Sequence, residues 1–300
     1  MMKQKPSGLL VAITTPFDSA TGDVEPVALR DNARAIISAG ASGIVAAGST
    51  GEASLLSEEE FRQVVGWLRD VVPDDLWLLA GAGRESTRAT VAACRAAAEE
   101  GADAALVRAP SYYGPVLTTV SLTDHFRVVA DQSPIPIVLY NFPRYTHVPL
   151  PVELIAALAK HENVWGAKDS SGDLKNFVAF REAAPDWAML IGPGGLYYAA
   201  LELGAAGAIA AVGCFAAKQT ADIGRLYAAG DTAAAGALQE QVVAPLHKTI
   251  VGELGIPGIK AAMDAVGLVG GPPRAPIPTL GSRGIERVHD LLREAKLIDS

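Results

Sequence analysis

The feature that most constrains this chain is a recurring join, in which a helix-like stretch closes on Gly-Ala and an apolar run follows almost at once. It is read in GASGIVAAG from Gly40, GADAALVRAP from Gly101 and GAAGAIAAVG from Gly204. Glycine supplies the left-handed turn that ends a helix. A run with few polar positions suits a strand buried on both faces, the mark of a parallel sheet. Five more runs fill the intervals: GLLVAITTPF from Gly8, LWLLAGAG from Leu76, PIVLYN from Pro136, VWGAKD from Val164 and AMLIGPGG from Ala188. Together they recur roughly every 28 residues, the length of one strand–helix unit.

Helical patterns lie between the runs. Ser57 and Glu60 have capping-box spacing ahead of Phe61, Val64, Val65 and Leu68, and Leu154, Ile155 and Leu158 repeat the same periodicity. Eight regular units predict an α/β fold, a closed (β/α)8 TIM barrel. A doubly wound sheet would more often carry a glycine-rich nucleotide fingerprint after its first strand, and none stands there. The barrel strands and helices are expected over 1–217. The last barrel helix and a C-terminal helical extension packed on the barrel are expected over 218–300, with helical stretches at 227–229, 233–246 and 259–266. The proline-rich GGPPRAPIP from Gly270 should be extended, since proline supports neither a ladder nor a helix interior.

Composition narrows the class of partner. Half the residues are apolar and 19% are charged, which gives a chain able to bury a large core rather than a disordered one. A net charge of -8 leaves no general basic surface for phosphate backbones, so nucleic acid is not expected as a partner. Cys94 and Cys214 stand in alanine-rich apolar contexts without CxxC spacing, and are read as reduced core residues of a cytoplasmic protein. The opening MMKQKPSG has no apolar export segment, and the longest run without polar side chains, 204–217, is shorter than the roughly 18 residues that a membrane span requires. The histidines at 125, 147, 161, 247 and 289 show no metal-ligand spacing; they are expected on the surface or in loops, and no metal is expected.

A barrel places its reactive groups where its strands end, which singles out four places. Lys168 closes the core run VWGAKD. An ammonium sheltered there is driven to shed its proton, and a neutral amine attacks ketones to give a Schiff base. The plainer reading is an ion pair with Asp169. Tyr140 closes PIVLYN on the neighbouring strand, as a proton-transferring phenol or as packing. GSTGE, from Gly48 to Glu52, sets two hydroxyls among glycines, either as a simple turn or as a nest of N–H groups for a carboxylate. Ser111, Tyr112 and Tyr113 follow the fourth run, where adjacent tyrosines suit packing or a subunit contact. The glycines of GAGRES and GPGG follow strands and suit a phosphate cradle, which keeps a phosphosugar barrel open as an alternative.

These residues together resemble the pyruvate-dependent class I aldolases and synthases related to dihydrodipicolinate synthase and N-acetylneuraminate lyase. The resemblance covers nearly the whole chain through TTPF at Thr14, GSTGE at Gly48, Tyr112-Tyr113, LYNFP at Leu139, GAKDSSGD at Gly166 and GAAGAIA at Gly204. It implies that Lys168 forms an imine with pyruvate or another 2-oxo acid, with no external cofactor. It also implies that Tyr140 relays protons, that Thr50 links Tyr140 to a Tyr113 contributed by a neighbouring subunit, and hence that the protein is a homodimer or homotetramer. The amides of Ser49 and Thr50 would hold the pyruvyl carboxylate, and Ile209 would pack near the imine. The lysine-pathway synthases carry an arginine two residues after the proline of their YNxP motif; here Tyr145 holds that place and Arg144 precedes it. The feedback-site positions of lysine-inhibited members fall at Glu85 and Ala89, so regulation by lysine is not expected.

AGAGRESTRATV, SPIPIVLYNFP, KDSSGD and GIPGIKAAMDAVGLVGGPPRAP resemble most the 4-hydroxy-2-oxoglutarate aldolase branch, in which Ser170 also belongs to the site. The resemblance therefore implies a lyase giving pyruvate and an aldehyde from a 4-hydroxy-2-oxo acid, with Arg144 and Tyr145 at the substrate mouth. The alternatives are 4-hydroxy-tetrahydrodipicolinate synthase, which condenses pyruvate with aspartate semialdehyde, and a non-catalytic 2-oxo-acid-binding module.

Overall fold

The computed structural model describes residues 4–299. Each of the eight apolar runs contains a strand: β1 Gly8–Ala12, β2 Gly43–Ala46, β3 Trp77–Gly81, β4 Ala104–Arg108, β5 Ile137–Asn141, β6 Val164–Asp169, β7 Ala188–Ile191 and β8 Gly207–Ala210. All pair in parallel with their sequence neighbours, and β8 returns to β1 to close the barrel. The strands are buried along nearly their whole length because helices cover the outside and side chains fill the inside, which is why alternation is absent from their sequences. Leu10, Val45, Leu79, Leu106, Val138, Leu190 and Ile209 fill the interior, with Tyr140 in the same cluster. Trp77 and Trp165 meet edge to face beside them, ring centroids 6.0 Å apart.

The glycine joins act as the sequence suggests. The Thr87–Glu99 helix ends ahead of Gly101 at φ +87°, and the Ala102 N–H then reaches back to the Ala97 carbonyl at 2.9 Å, satisfying an orphan helix acceptor. The Glu58–Arg69 helix starts at the expected Ser57–Glu60 capping box and buries Phe61, Val64, Val65 and Leu68.

Beyond β8 the chain runs through a kinked helix, Gly213–Ala228, into the extension. The expected 233–246 helix is instead a short α-helix, Thr232–Leu238, followed by the wide turns Gln239–Val243, the helical turn Ala244–Leu246 and the wide turns His247–Glu253. Wide π-type turns have no 3.6-residue period and commonly mark functional sites. Gly255–Ala265 and Ser282–Glu294 complete the helices, and 270–278 has no helix or strand, as its prolines require. No helix among the described residues is long and apolar enough to cross a membrane. Both cysteines are buried and unpaired. His125 departs from its surface assignment: it lies buried on the Thr119–Gln132 helix, with Nδ1 2.9 Å from the Thr87 hydroxyl, because that face packs on the neighbouring helix.

Candidate active site

Register brings the two principal candidates together. Tyr140 on β5 pairs directly with Lys168 on β6, so both side chains point to the same side of the sheet, into the barrel. Lys168 Nζ lies 4.2 Å from the centre of the Tyr140 ring, and the two residues are only 6% and 5% exposed. Asp169, one residue on, faces the other way: its carboxylate accepts from the side chains of Asn141, Ser171 and Asn176 and from the Ser171 N–H. The ion-pair reading of Lys168 therefore fails, and no salt bridge to it is found among the described residues. Burial without a counter-charge lowers its pKa to about 7, so the amine is half neutral near physiological pH. Burial likewise pushes the Tyr140 phenol up, opposed by the hydroxyls of Ser49 and Ser170.

A cavity of about 300 Å³ opens over this pair. It is lined by Ser49, Thr50, Tyr140, Arg144, Tyr145, Lys168, Ser170 and Ile209, so it gathers every candidate named above except Tyr113. Ser49, rather than Thr50, has its hydroxyl at Tyr140, 3.4 Å from Oη. Among the turn and loop bonds of the described residues, no carbonyl takes up the N–H of Ser49 or of Thr50, which leaves both free to meet an anion. One wall is an aromatic ladder: Phe142 stacks on Tyr140 at 5.4 Å and meets Tyr145 at 4.5 Å. Arg144 turns toward the extension, donating from Nη2 to the Gly252 carbonyl at 3.0 Å.

Tyr113 stands outside the cavity, 69% exposed, in a loop with Tyr112 and Val116 also open to solvent. Glu85 holds that loop by accepting from the N–H groups of Ser111 and Tyr112, with Arg108 Nη2 2.9 Å away. Burial works against the Glu85 charge, but these donors prevail and keep its pKa at about 2.

Sequence reasoning missed three contributors. The last residue of GSTGE, Glu52, is buried against Lys260, whose Nζ is 2.7 Å from Oε1 and also donates to the carbonyls of Thr15 and Pro272, each at 2.8 Å. The Arg274 N–H donates to the second Glu52 oxygen, and its guanidinium grips Glu60 with both terminal nitrogens. The extension thus fastens the loop that carries Ser49 and Thr50. His247, third, lines the cavity from the first wide turn after Leu246. A buried lysine within an apolar helical pattern was the one available signal for the pair; nothing in the sequence marks His247.

In GPGG, Gly192 and Pro193 line the cavity, and the glycines also give room to neighbouring side chains. A Cβ at Gly192 would lie 1.8 Å from Ser170 Oγ, and one at Gly195 3.0 Å from the His247 ring. Gln239 pins the same loop, donating to the Gly194 carbonyl at 3.1 Å.

A sheltered amine beside a phenol at the strand ends of a closed (β/α)8 barrel is an arrangement suited to Schiff-base chemistry. Known proteins place the chain further. The model of the dihydrodipicolinate synthetase family matches residues 5–295, and the chain belongs to that family. It is 34% identical to the 4-hydroxy-tetrahydrodipicolinate synthase of Methanothrix thermoacetophila over 289 residues, 95% of each chain. The dihydrodipicolinate synthase of Acinetobacter baumannii, solved with pyruvate, superposes with a TM-score of 0.91 at 32% identity, covering 97% of this chain and 99% of the other. YagE of E. coli K12, a family member also solved with pyruvate, gives 0.91 at 26% identity over 97% and 99%. The protein is an enzyme, a carbon–carbon lyase, which sets aside the non-catalytic module. These relatives are synthases or carry the family's name; none is named for the aldolase branch.

Proposed function

We propose that the protein joins or cleaves a carbon–carbon bond next to a Schiff base formed by Lys168 with pyruvate. The observation that carries this reading is the burial of Lys168 without a carboxylate partner, against Tyr140 and beside two free N–H groups. The neutral amine adds to the ketone and water leaves, giving an iminium while the Ser49 and Thr50 amides hold the carboxylate. Loss of a methyl proton gives an enamine, whose carbon attacks an aldehyde; hydrolysis then frees the lysine. Read backward, the iminium accepts the electron pair of the bond that breaks. Tyr140, with the Ser49 hydroxyl at its Oη, carries protons in and out. Ser170 and Ile209 line the space around the imine. Tyr113 and Thr50 complete the relay when a second copy of the chain brings its Tyr113 to the mouth, in a homodimer or homotetramer.

The names of the relatives favour condensation of pyruvate with aspartate semialdehyde, the 4-hydroxy-tetrahydrodipicolinate synthase reaction. One observation favours a second reading, cleavage of 4-hydroxy-2-oxoglutarate to pyruvate and glyoxylate. Tyr145 holds the place of the synthases' arginine, and Arg144 is committed to the Gly252 carbonyl. Intact mass after borohydride reduction with pyruvate tests the shared step: one pyruvyl adduct is expected, absent from Lys168→Ala, and an equal adduct in the variant overturns the assignment. Steady-state turnover of the two aldehydes with pyruvate then separates the two readings.

A further inference from the structure

The Ser49 and Thr50 N–H groups can share one carboxylate only while the turn that carries them keeps its shape. Peptide planarity sets how. The Ser49 N–H lies in one plane with the Gly48 carbonyl, and the Thr50 N–H in one plane with the Ser49 carbonyl, so each amide points opposite to a carbonyl. Those two carbonyls accept from the N–H groups of Ala53 and Glu52, both at 3.2 Å, the long end of the hydrogen-bond range. The turn is also flanked by two non-glycine residues in the left-handed region, Ala47 at φ +47° and Glu52 at φ +57°. Such a backbone persists only where its surroundings over-determine it.

Those surroundings form a closed ring of bonds centred on Thr15, just past the end of β1. The buried Thr15 hydroxyl donates to the Gly51 carbonyl at 2.8 Å, and its own carbonyl accepts from Lys260 Nζ at 2.8 Å. Lys260 Nζ in turn stands 2.7 Å from Glu52 Oε1. The Gly51–Glu52 peptide is thereby held through its oxygen on Thr15 and through the Glu52 side chain on Lys260, and its N–H is the one that fixes the Ser49 carbonyl. A Cβ at Gly51 would lie 3.0 Å from the Ile13 carbonyl, so the same peptide rests directly on the exit of β1. Neither Thr15 nor Lys260 is among the described residues that line the cavity over Lys168.

We infer that Thr15 is a positioning residue, which acts through the Gly51–Glu52 peptide to aim the Ser49 and Thr50 amides at the carboxylate of the 2-oxo acid, with Lys260 closing the ring behind it. This role rests on the proposed Schiff-base reaction, but one of its probes needs no imine. Oxamate matches pyruvate in shape and carries an amide carbonyl that forms no imine, so calorimetric titration reads the amides without chemistry. Thr15→Val, which replaces the hydroxyl by a methyl, should bind oxamate at least about fivefold more weakly than wild type, and Thr15→Ser within about twofold. In borohydride trapping, the half-saturating concentration of pyruvate should rise by a similar factor in Thr15→Val, whereas that of methyl pyruvate, whose ester has no charge, should shift by less than about twofold. The pH midpoint of capture, set by Lys168, should not move. Oxamate binding that is unchanged in Thr15→Val, or absent from wild type, overturns this role. An equal loss on pyruvate and methyl pyruvate overturns it too, because it marks general support of the fold. If Thr15→Val does not fold, Lys260→Met combined with Glu52→Gln opens the same ring from its other side and carries the same expectations. Wild type that binds oxamate as expected but traps no pyruvate sinks the Schiff-base reading alone.

Discussion

Lys260 and Glu52 form an ion pair whose side chains are 1% and 0% exposed, and it joins the loop under the cavity to the C-terminal extension. Such a pair adds little over an apolar replacement, but removing one partner strands the other charge in a dry interior. Lys260→Met is therefore expected to lose about 3–5 kcal/mol of stability, read by urea denaturation. Adding Glu52→Gln should restore part of that loss. A single variant as stable as wild type means that the pair is not closed to water.

The rate at which Lys168 captures pyruvate should follow its neutral fraction. With a pKa of about 7, the rate rises roughly tenfold between pH 6 and pH 8 and levels off above. Rapid-quench mass spectrometry of the reduced adduct measures this. A rate still climbing steadily to pH 10 would show a solvated amine.

The same burial sets a stability signature with a definite sign. Between pH 7 and 10.5 the unfolded chain holds a proton on Lys168 that the folded one has released, so stability rises with pH across this window. The full burial cost is present below pH 7. Lys168→Met should thus be more stable than wild type by about 3–5 kcal/mol at pH 6, with the gain shrinking toward pH 10. A gain that does not change with pH would assign it to packing.

Tyr140→Phe keeps the ring against Lys168 and removes the hydroxyl near Ser49. Turnover should fall about 10²-fold or more, while the pyruvyl adduct is still trapped. Unchanged turnover would retire the relay.

Tyr112, Tyr113, Val116 and Val120 form an exposed cluster around a loop that Glu85 keeps in place. If a second copy covers it, Val116→Asp should shift the sedimentation coefficient toward the monomer and lower turnover together. Wild type sedimenting as a monomer at micromolar concentration would exclude the role given to a neighbouring Tyr113.

All eight strands were legible because each is a local run of apolar residues, and three of them follow a glycine turn that ends the preceding helix. Lys168 and Tyr140 were legible because each ends an apolar run, where a barrel opens its mouth; that Asp169 and Asn141, the next residues, turn outward instead follows from the alternation of side chains along a strand. Contacts between distant parts of the chain left no such trace. Nothing near Glu52 reveals that its counter-charge lies at Lys260, and the wide turns around Pro245 were read as ordinary helix because they have no period of their own. His247 sits on them, so its place in the cavity was invisible, as was the helix packing that buries His125.

Order of synthesis gives the roof of the cavity a further meaning. By the time Ala210 has been added, the nascent chain contains every strand together with Lys168 and Tyr140, whereas His247, Ile256, Ile259, Lys260 and Arg274 are still to come. A growing polypeptide therefore passes through a stage at which the amine exists but the chamber that dries it, and the clasp on Glu52, do not. On the proposed chemistry, the amine is expected to become reactive only once this last-made segment closes over it.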